Sequence, residues 1–250
     1  MSRLIPSLVV LSLTCAPAWA AGQAGAYSPP RTPDGHPDLQ GIWQVMNTAA
    51  WDIQDHGAAL GVPAGRGVVD GNEIPYLPAA LKKKQANVAN RQTLDPEAKC
   101  FLPGVPRITY MPYPFQIVQG RSEVTILYEY LHAVRHVFLR GAHPPGPIEW
   151  WMGDSRGRWD GDTLVVDVVH FNAETWFDRA GNHHSEALHV VERYTRTGPD
   201  HMRYDVTIED PKTFTRPWTM SMPLYRRQEP QGELLEYECF AYKFEAEWKR

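Results

Sequence analysis

The sequence predicts a mainly all-β fold, a closed or nearly closed antiparallel barrel, and three observations carry that expectation. Beyond Cys100 the chain becomes a succession of short segments dense in Val, Ile, Tyr and Phe, set apart at fairly even spacing by Gly, Pro or Asp. Branched and aromatic side chains suit a pleated, half-buried surface, and the small and cyclic residues between them reverse the chain. Between two such segments stands Trp159-Asp160-Gly161-Asp162, where an Asp-Gly pair tolerates the positive φ of a tight hairpin. Regular alternation of helix and strand, the mark of a parallel sheet, is missing.

Element by element, residues 1–20 read as a cleavable export signal: a basic start at Arg3, an apolar run from Leu4 to Leu13, and Ala18-Trp19-Ala20 before the cut. Residues 21–37, rich in Gly, Pro and polar side chains, read as a flexible tether. The rest, 38–250, reads as one barrel domain with a helical or irregular insertion over 56–99. Strand character begins at Pro37–Val45, is interrupted by a Gly- and Pro-rich excursion from His56 to Pro75, and gives way to a surface helix over Leu77–Gln92 with Pro78 in its first turn. Strands are expected over 108–118, 122–139, 156–159 with 163–169, 187–195, 203–209, 218–225 and 234–240, and a short polar helix from Tyr242.

A formal charge of -4 without a basic patch argues against nucleic acid or an anionic membrane as partner. No run beyond the signal approaches the roughly 18 to 20 apolar residues a spanning helix needs. Without the signal two cysteines remain, Cys100 and Cys239, in a chain bound for an oxidising compartment, and we predict a disulfide between them. The plainer alternative is two separate buried thiols. The expected location is the periplasm or the cell exterior.

Gly41-Ile42-Trp43 followed by a meander of hairpins resembles the lipocalin-like barrels, in which such a tryptophan closes the barrel floor. The strings Pro37-Asp38-Leu39-Gln40-Gly41-Ile42-Trp43, Cys100-Phe101-Leu102-Pro103-Gly104-Val105-Pro106-Arg107 and Gly157-Arg158-Trp159-Asp160-Gly161-Asp162-Thr163-Leu164-Val165-Val166 resemble a group of exported bacterial proteins of unassigned function. The likeness continues through Leu127–Tyr130 with His132 and Arg135, Phe171-Asn172, Thr175-Trp176, His184-Ser185, Glu192-Arg193, Asp210-Pro211-Lys212 and Pro217-Trp218. It implies a lipocalin-like fold and no particular reaction.

Candidate chemistry gathers in three places. On a strand running from Glu123 to Leu139, alternation puts Tyr128, Tyr130, His132, Val134 and His136 on one face, and Glu129 with Arg135 on the other. If the first face looks inward, His132 and His136 stand about 13 Å apart, too far to share a metal ion. If the second does, Glu129 and Arg135 orient a polar ligand or satisfy each other. The connection Asn172–Ser185 carries Trp176 and Phe177 and reads as an ordered flap over a barrel mouth, with His183 or His184 as a general base, Asn172 as a donor, and Glu174 or Asp178 orienting the imidazole. Alternatively, His184 and Ser185 merely cap the following strand. Glu192 shares parity with Leu188, Val190 and Tyr194 and is expected to face inward.

No phosphate loop, nucleophile elbow, Cys-x-x-Cys or haem motif occurs, so no cofactor and no metal are predicted. With Trp151 and the other tryptophans suited to an aromatic or terpenoid molecule, the leading expectation is cofactor-independent acid-base chemistry of the lyase, hydratase or isomerase type on a hydrophobic small molecule. In it His132, His184, Glu129 and Glu192 act as acids or bases, while Arg135, Asn172, Trp176, Tyr130 and Trp151 hold the substrate. The rival is a carrier using the same pocket without converging titratable groups. A structural protein, the third reading, predicts a filled barrel.

Overall fold

Nine strands close into a single barrel in chain order: β1 Gly41–Gln44, β2 Phe115–Gln119, β3 Glu123–Tyr128, β4 Val134–Phe138, β5 Asp154–Asp160, β6 Thr163–Val169, β7 His189–Gly198, β8 His201–Glu209 and β9 Trp218–Arg226. The computed structural model describes residues 27–229 and 232–239. Closure is made by β9 returning to β1, with Trp43 opposite Arg226 and Gln44 opposite Tyr225, which leaves no open sheet edge. The lipocalin-like, all-β expectation holds. Trp43 is fully buried, donates its indole N–H to the Leu39 carbonyl at 2.9 Å, and has the guanidinium groups of Arg196 and Arg226 over its ring, 5.3 and 5.1 Å from the ring centre.

Every pairing is antiparallel except β4 with β5, which run parallel and meet over only two residue pairs, Val137 with Ser155 and Phe138 with Arg156. Neighbouring β5 and β6 pair over Asp154–Asp160 and Thr163–Val169 in full. The wall is therefore thin at β4–β5, as it is at β1–β9, and residues 139–153 cross over at the former to reach the next strand.

Alternation fills the lumen with the barrel's own side chains. On β7 the inward set is Val190, Glu192, Tyr194 and Arg196; on β8 it is Met202, Tyr204, Val206 and Ile208; on β9, Trp218, Met220, Met222 and Leu224. The Asp160-Gly161 hairpin forms as expected, with Asp160 opposite Thr163 and Gly161 at φ +58° in the two-residue connection.

Three boundaries differ from expectation. The expected single strand over 122–139 is a hairpin, β3 and β4, reversed through Glu129–Ala133, where Leu131 and His132 take positive φ of 55° and 52°. No Gly, Pro, Asn or Asp marks that turn, and it breaks the parity count: Tyr128 and Tyr130 are buried, whereas His132, Val134 and His136 are exposed and Arg135 points inward. The segment expected as strand from 108 begins as a buried 3-10 turn, Arg107–Tyr110, and becomes strand only at Phe115. Residues 234–238 form no strand of their own; their backbone bridges that of Tyr130 at Tyr237.

The tether expectation is corrected for its described part: Tyr27–Pro37 lies on the barrel, with the Arg31 guanidinium on the Asp162 carboxylate at 2.8 Å and the Arg196 guanidinium donating to the Tyr27 hydroxyl at 3.2 Å. The signal segment and the helix expected from Tyr242 lie outside the described residues. The insertion over 56–99 carries α1, Pro78–Ala89, and a turn of helix α2, Arg91–Leu94, with Pro78 opening α1 as expected. α1 seats against the 172–185 connection at Gly181, whose φ is +77° and where an added Cβ would come within 2.8 Å of the Lys84 carbonyl. No helix among the described residues is long and apolar enough to cross a membrane.

Cys100 and Cys239 form a disulfide across 139 residues, with Cα atoms 5.7 Å apart. A loop of that size restricts the unfolded chain by about 5 kcal/mol in the chain-entropy model. Cys100→Ser with Cys239→Ser is therefore expected to lower the urea midpoint by a large fraction of total stability, and a midpoint unchanged from wild type would show that the C-terminal segment contributes no restraint.

Candidate functional site

Inside the barrel the inward rows of β4, β5, β7 and β8 deliver a polar network rather than an open cavity. The Arg135 guanidinium forks onto Glu192, Nη1 donating to Oε1 at 3.1 Å and Nη2 to Oε2 at closer range, while Nε donates to the Ser155 hydroxyl at 2.9 Å. The Tyr194 and Tyr204 hydroxyls both donate to Glu192 Oε1, at 3.0 and 2.6 Å. Arg135 is 3 % and Glu192 0 % exposed. Burial works against the charge on Arg135, and the Glu192 carboxylate beside it overrides this and holds the guanidinium pKa well above its ordinary value. Burial pushes both tyrosines well up as well, with Glu192 adding to the shift. Glu192 thus faces inward as expected, but its partner is Arg135 and not an apolar wall; four donors occupy it.

The flap 172–185 is ordered. Its pivot is Asp178, fully buried, whose carboxylate accepts from the backbone N–H groups of Ile53, Ala180 and Asn182 and from the Asn182 side chain at 2.6 Å. Burial, then the charge of Asp52, pushes this carboxyl up to about 7. His184 has Nδ1 2.8 Å from the Ser185 carbonyl and Nε2 2.6 Å from the Thr175 hydroxyl. Donation from Nδ1 to the carbonyl leaves Nε2 to accept from the hydroxyl, a neutral tautomer assigned from these partners. Burial among Phe171 and Phe177 brings its pKa down to about 4. His183, likewise held at about 4 by burial, lies against Tyr76 at 5.8 Å between ring centres. Asn172 turns its Oδ1 back to the Glu174 N–H, and Trp176 is buried at 6 % exposure. Ser185 is anchored on Asp210 through both its N–H and its hydroxyl.

The remaining candidates stand at the β3–β4 turn, under the C-terminal segment. The Glu129 carboxylate accepts from the Leu235 N–H at 2.8 Å rather than pairing with Arg135. Tyr130 forms a three-ring cluster with Tyr113 and Tyr237, at 5.4 and 5.5 Å from them, the latter two being 4.5 Å apart. His132 is exposed, 3.6 Å from the Glu238 carboxylate. No side-chain hydrogen bond or ion pair among the described residues links any two of His132, His184, Glu129 and Glu192. Nor do three histidine, cysteine or carboxylate side chains among the described residues converge to hold a metal ion.

Two clusters escaped the sequence reading. Arg107, fully buried, forks onto Asp95 at 2.8 and 3.0 Å and reaches Glu97 at 2.5 Å; Glu97 in turn takes Arg179, whose guanidinium sits 4.1 Å over Trp51. On the outer wall a chain of alternating acids and imidazoles runs Asp154, His143, Asp167, His189, Glu209, with successive contacts of 2.6, 2.8, 2.6 and 3.1 Å. Each imidazole has a carboxylate at both nitrogens. Although burial opposes the His189 charge, Asp167 and Glu209 raise its pKa. The members of the row sit on four strands, β5 to β8, and on the 139–153 crossover, and the period-2 face rule is the one sequence signal that bears on them.

A groove of about 450 Å³ opens where the wall is thin, between β4 and β5. Leu102, Val134, Phe138, Trp150, Trp151 and Met152 wall it, and Arg135 and Ser155 close its inner side. Phe101, packed on Trp151 at 5.0 Å, extends the apolar rim, and Phe101, Val134, Phe138 and Trp150 are 45, 51, 38 and 37 % exposed. Of the expected site residues, this groove unites Arg135 and Trp151, with Glu192 directly behind. Comparison with protein-family models finds no match, and comparison with curated proteins finds none.

Two outcomes are expected. Glu192→Leu alone strands a buried guanidinium and is expected to cost about 3 to 5 kcal/mol in urea unfolding, with Arg135→Met added to it recovering much of the loss; equal losses in single and double variants would show that the pair is not coupled. For His184 the unfolded imidazole binds a proton near 6.5 and the folded one only near 4, so stability is present above 6.5 and falls with pH at about 1.4 kcal/mol per unit through that window. Asp178, raised to about 7, contributes in the opposite sense, a stability lost as pH rises towards 7. In His184→Gln the drop in unfolding free energy from pH 7 to pH 5 is expected to shrink by about 2 kcal/mol; an unchanged drop would mean the ring is not held neutral.

Proposed function

We propose that the protein is an exported binding protein for a hydrophobic small molecule of aromatic, terpenoid or steroid-like character, seated in the groove between β4 and β5. The observation that carries this is the exposed aromatic rim. Soluble proteins seldom leave Phe101, Val134, Phe138 and Trp150 together in water without a partner, and 450 Å³ lies in the range that takes a drug-sized molecule. The export signal read in residues 1–20 and the Cys100–Cys239 disulfide support a periplasmic or extracellular setting.

Binding is preferred to catalysis because the groove's inner polar groups are already in balance. Arg135 is neutralised by Glu192, and the buried His184 imidazole of the flap is neutral with both ring nitrogens held by other partners. The acid-base reading keeps one supporting observation: His136 lines the groove with its Nδ1 3.5 Å from the Glu123 carboxylate, a base and an orienting acid at the rim.

The test is a screen of the purified mature protein against mixed aromatic and terpenoid compounds, read by mass spectrometry for retention and for change of mass or isomer. Retention of unchanged compound, weakened about tenfold or more by Trp151→Ala, is the expected result. Turnover abolished by His136→Ala would replace carriage by catalysis, and no retention at all would leave a structural barrel.

A further inference from the structure

Resting on that reading of the groove, the row of acids and imidazoles on the outer wall acquires a part in binding, because it fastens one side of the groove. Residues 139–153 cross from β4 to β5, and their last part, Glu149–Gly153, lines the groove. Among the described residues, no backbone–backbone hydrogen bond holds residues 140–149 on the barrel, and Pro144, Pro145 and Pro147 have no N–H to give. Side chains do the fastening. His143 stands between Asp154 and Asp167 at 2.6 and 2.8 Å, His170 Nε2 donates to the Pro144 carbonyl at 3.0 Å, and Arg156 reaches the Arg140 carbonyl at 3.5 Å. The His170 bond needs one ring proton and survives in either charge state, whereas the His143 bonds need two. Burial would raise the Asp154 and Asp167 carboxyls, but hydrogen bonds from Arg156, His143 and His189 hold both below the usual carboxylate range. Ionised, they can only accept. Both nitrogens of His143 therefore donate, as do those of His189 between Asp167 and Glu209, and each ring is an imidazolium, assigned from its partners. With Arg156 on Asp154, three cations stand against three carboxylates. Nearby are His170, edge-on to His143 at 6.2 Å, and Glu149 and Glu186, which line a hollow of about 280 Å³ with His170 and His189; Glu186 is taken by Lys212.

We infer that the doubly bonded His143 pins the crossover in the position that completes the groove, so that the hydrophobic molecule is held at acidic pH and released as pH rises through the titration of this row. Loss of a proton from either nitrogen leaves a lone pair against a carboxylate oxygen 2.6 or 2.8 Å away, and an attraction becomes a repulsion. The wall formed by Trp150, Trp151 and Met152 then has its nearest side-chain anchor removed. His143 and His189 share Asp167, so their protons leave in linked steps. Burial opposes the His189 charge, but Asp167 and Glu209 outweigh it and raise the pKa. A group raised in this way contributes fully below its unfolded value of about 6.5, and its contribution is lost as pH rises through the folded one. His184, lowered to about 4, titrates in the opposite sense and does not line the groove. His136 does line it, but its partners, Glu123 and Phe138, lie on β3 and β4 and not on the crossover.

The test uses N-phenyl-1-naphthylamine, a neutral aromatic probe whose own charge does not change over this range, titrated into the full mature protein between about pH 6 and about pH 8.5 and followed by its fluorescence. Wild-type affinity is expected to fall about tenfold across that span. His143→Gln, which has no proton to lose there, is expected to bind weakly throughout and to show no fall. Asp167→Asn, which removes the carboxylate shared by both imidazoles, is expected to move the fall to lower pH, a shift that loss of a merely structural contact would not produce. His136→Gln is expected to keep the fall where it is. Wild-type affinity independent of pH, or a fall that persists in His143→Gln, overturns the inference while leaving the groove as a binding site. No binding of the probe at any pH, with Trp151→Ala indistinguishable from wild type, overturns the groove reading itself and the pH dependence with it.

Discussion

The Arg135–Glu192 pair crosses the lumen from β4 to β7 and sets the terms for everything around it. A guanidinium and a carboxylate shut away from water are tolerable only if each finds the other and the leftover hydrogen-bonding capacity is met. Glu192 meets this with two tyrosine hydroxyls, which is why the inner rows of β7 and β8 carry Tyr194 and Tyr204 where an aliphatic core would serve packing equally well. Arg135 meets it with Ser155 on the strand across the thin parallel seam. The seam pairs only two residues on each side through its backbone, so the side-chain link from Arg135 to Ser155 is a second tie across a wall that is weak there. Arg135 also has to face inward for this to happen, and that fixes the side that β4 presents after a turn lacking any turn-forming residue.

The barrel was legible because its signals are local: alternation along β7 to β9, the Asp-Gly hairpin, Pro78 at the start of a helix, and two cysteines with no other partner. The failures are local too. Glu129–Ala133 looks like strand because Tyr130 and Leu131 favour extended backbone, and tertiary closure overrides that preference at the price of two left-handed residues. Once that turn is hidden, the count of faces beyond it comes out wrong for His132 and His136. Glu192 was placed correctly because β7 runs unbroken through it, whereas its partner lies 57 residues earlier in a register no pattern announces. The clusters around Arg107 and His143 were illegible for the same reason: they join residues from separate strands and loops, and only the closed wall makes them neighbours.

Imidazoles and carboxylates in a domain of this size invite a catalytic reading, yet chemistry depends on where their protons can go. His184 has both nitrogens engaged inside a core of phenylalanines, and Asp178 is ringed by four donors. Such groups order a flap that has no regular secondary structure of its own, supplying the hydrogen bonds a helix or sheet would otherwise give. The polar interior is thus mostly scaffolding, and the exposed apolar surface, where we propose that a ligand sits, lies outside, over the seam.

The seam in the wall at β1 and β9 has a consequence in time as well as in space. The first strand of the barrel has its partners at β2 and at β9, and Cys100 waits for Cys239. Closure of the wall therefore waits for β9, whose Arg226 pairs with Trp43, and contacts of such long sequence separation make for slow folding. Until then β1 has β2 as its one neighbour in the wall, and the ring stays open-edged while the hairpins in between already have their partners at hand.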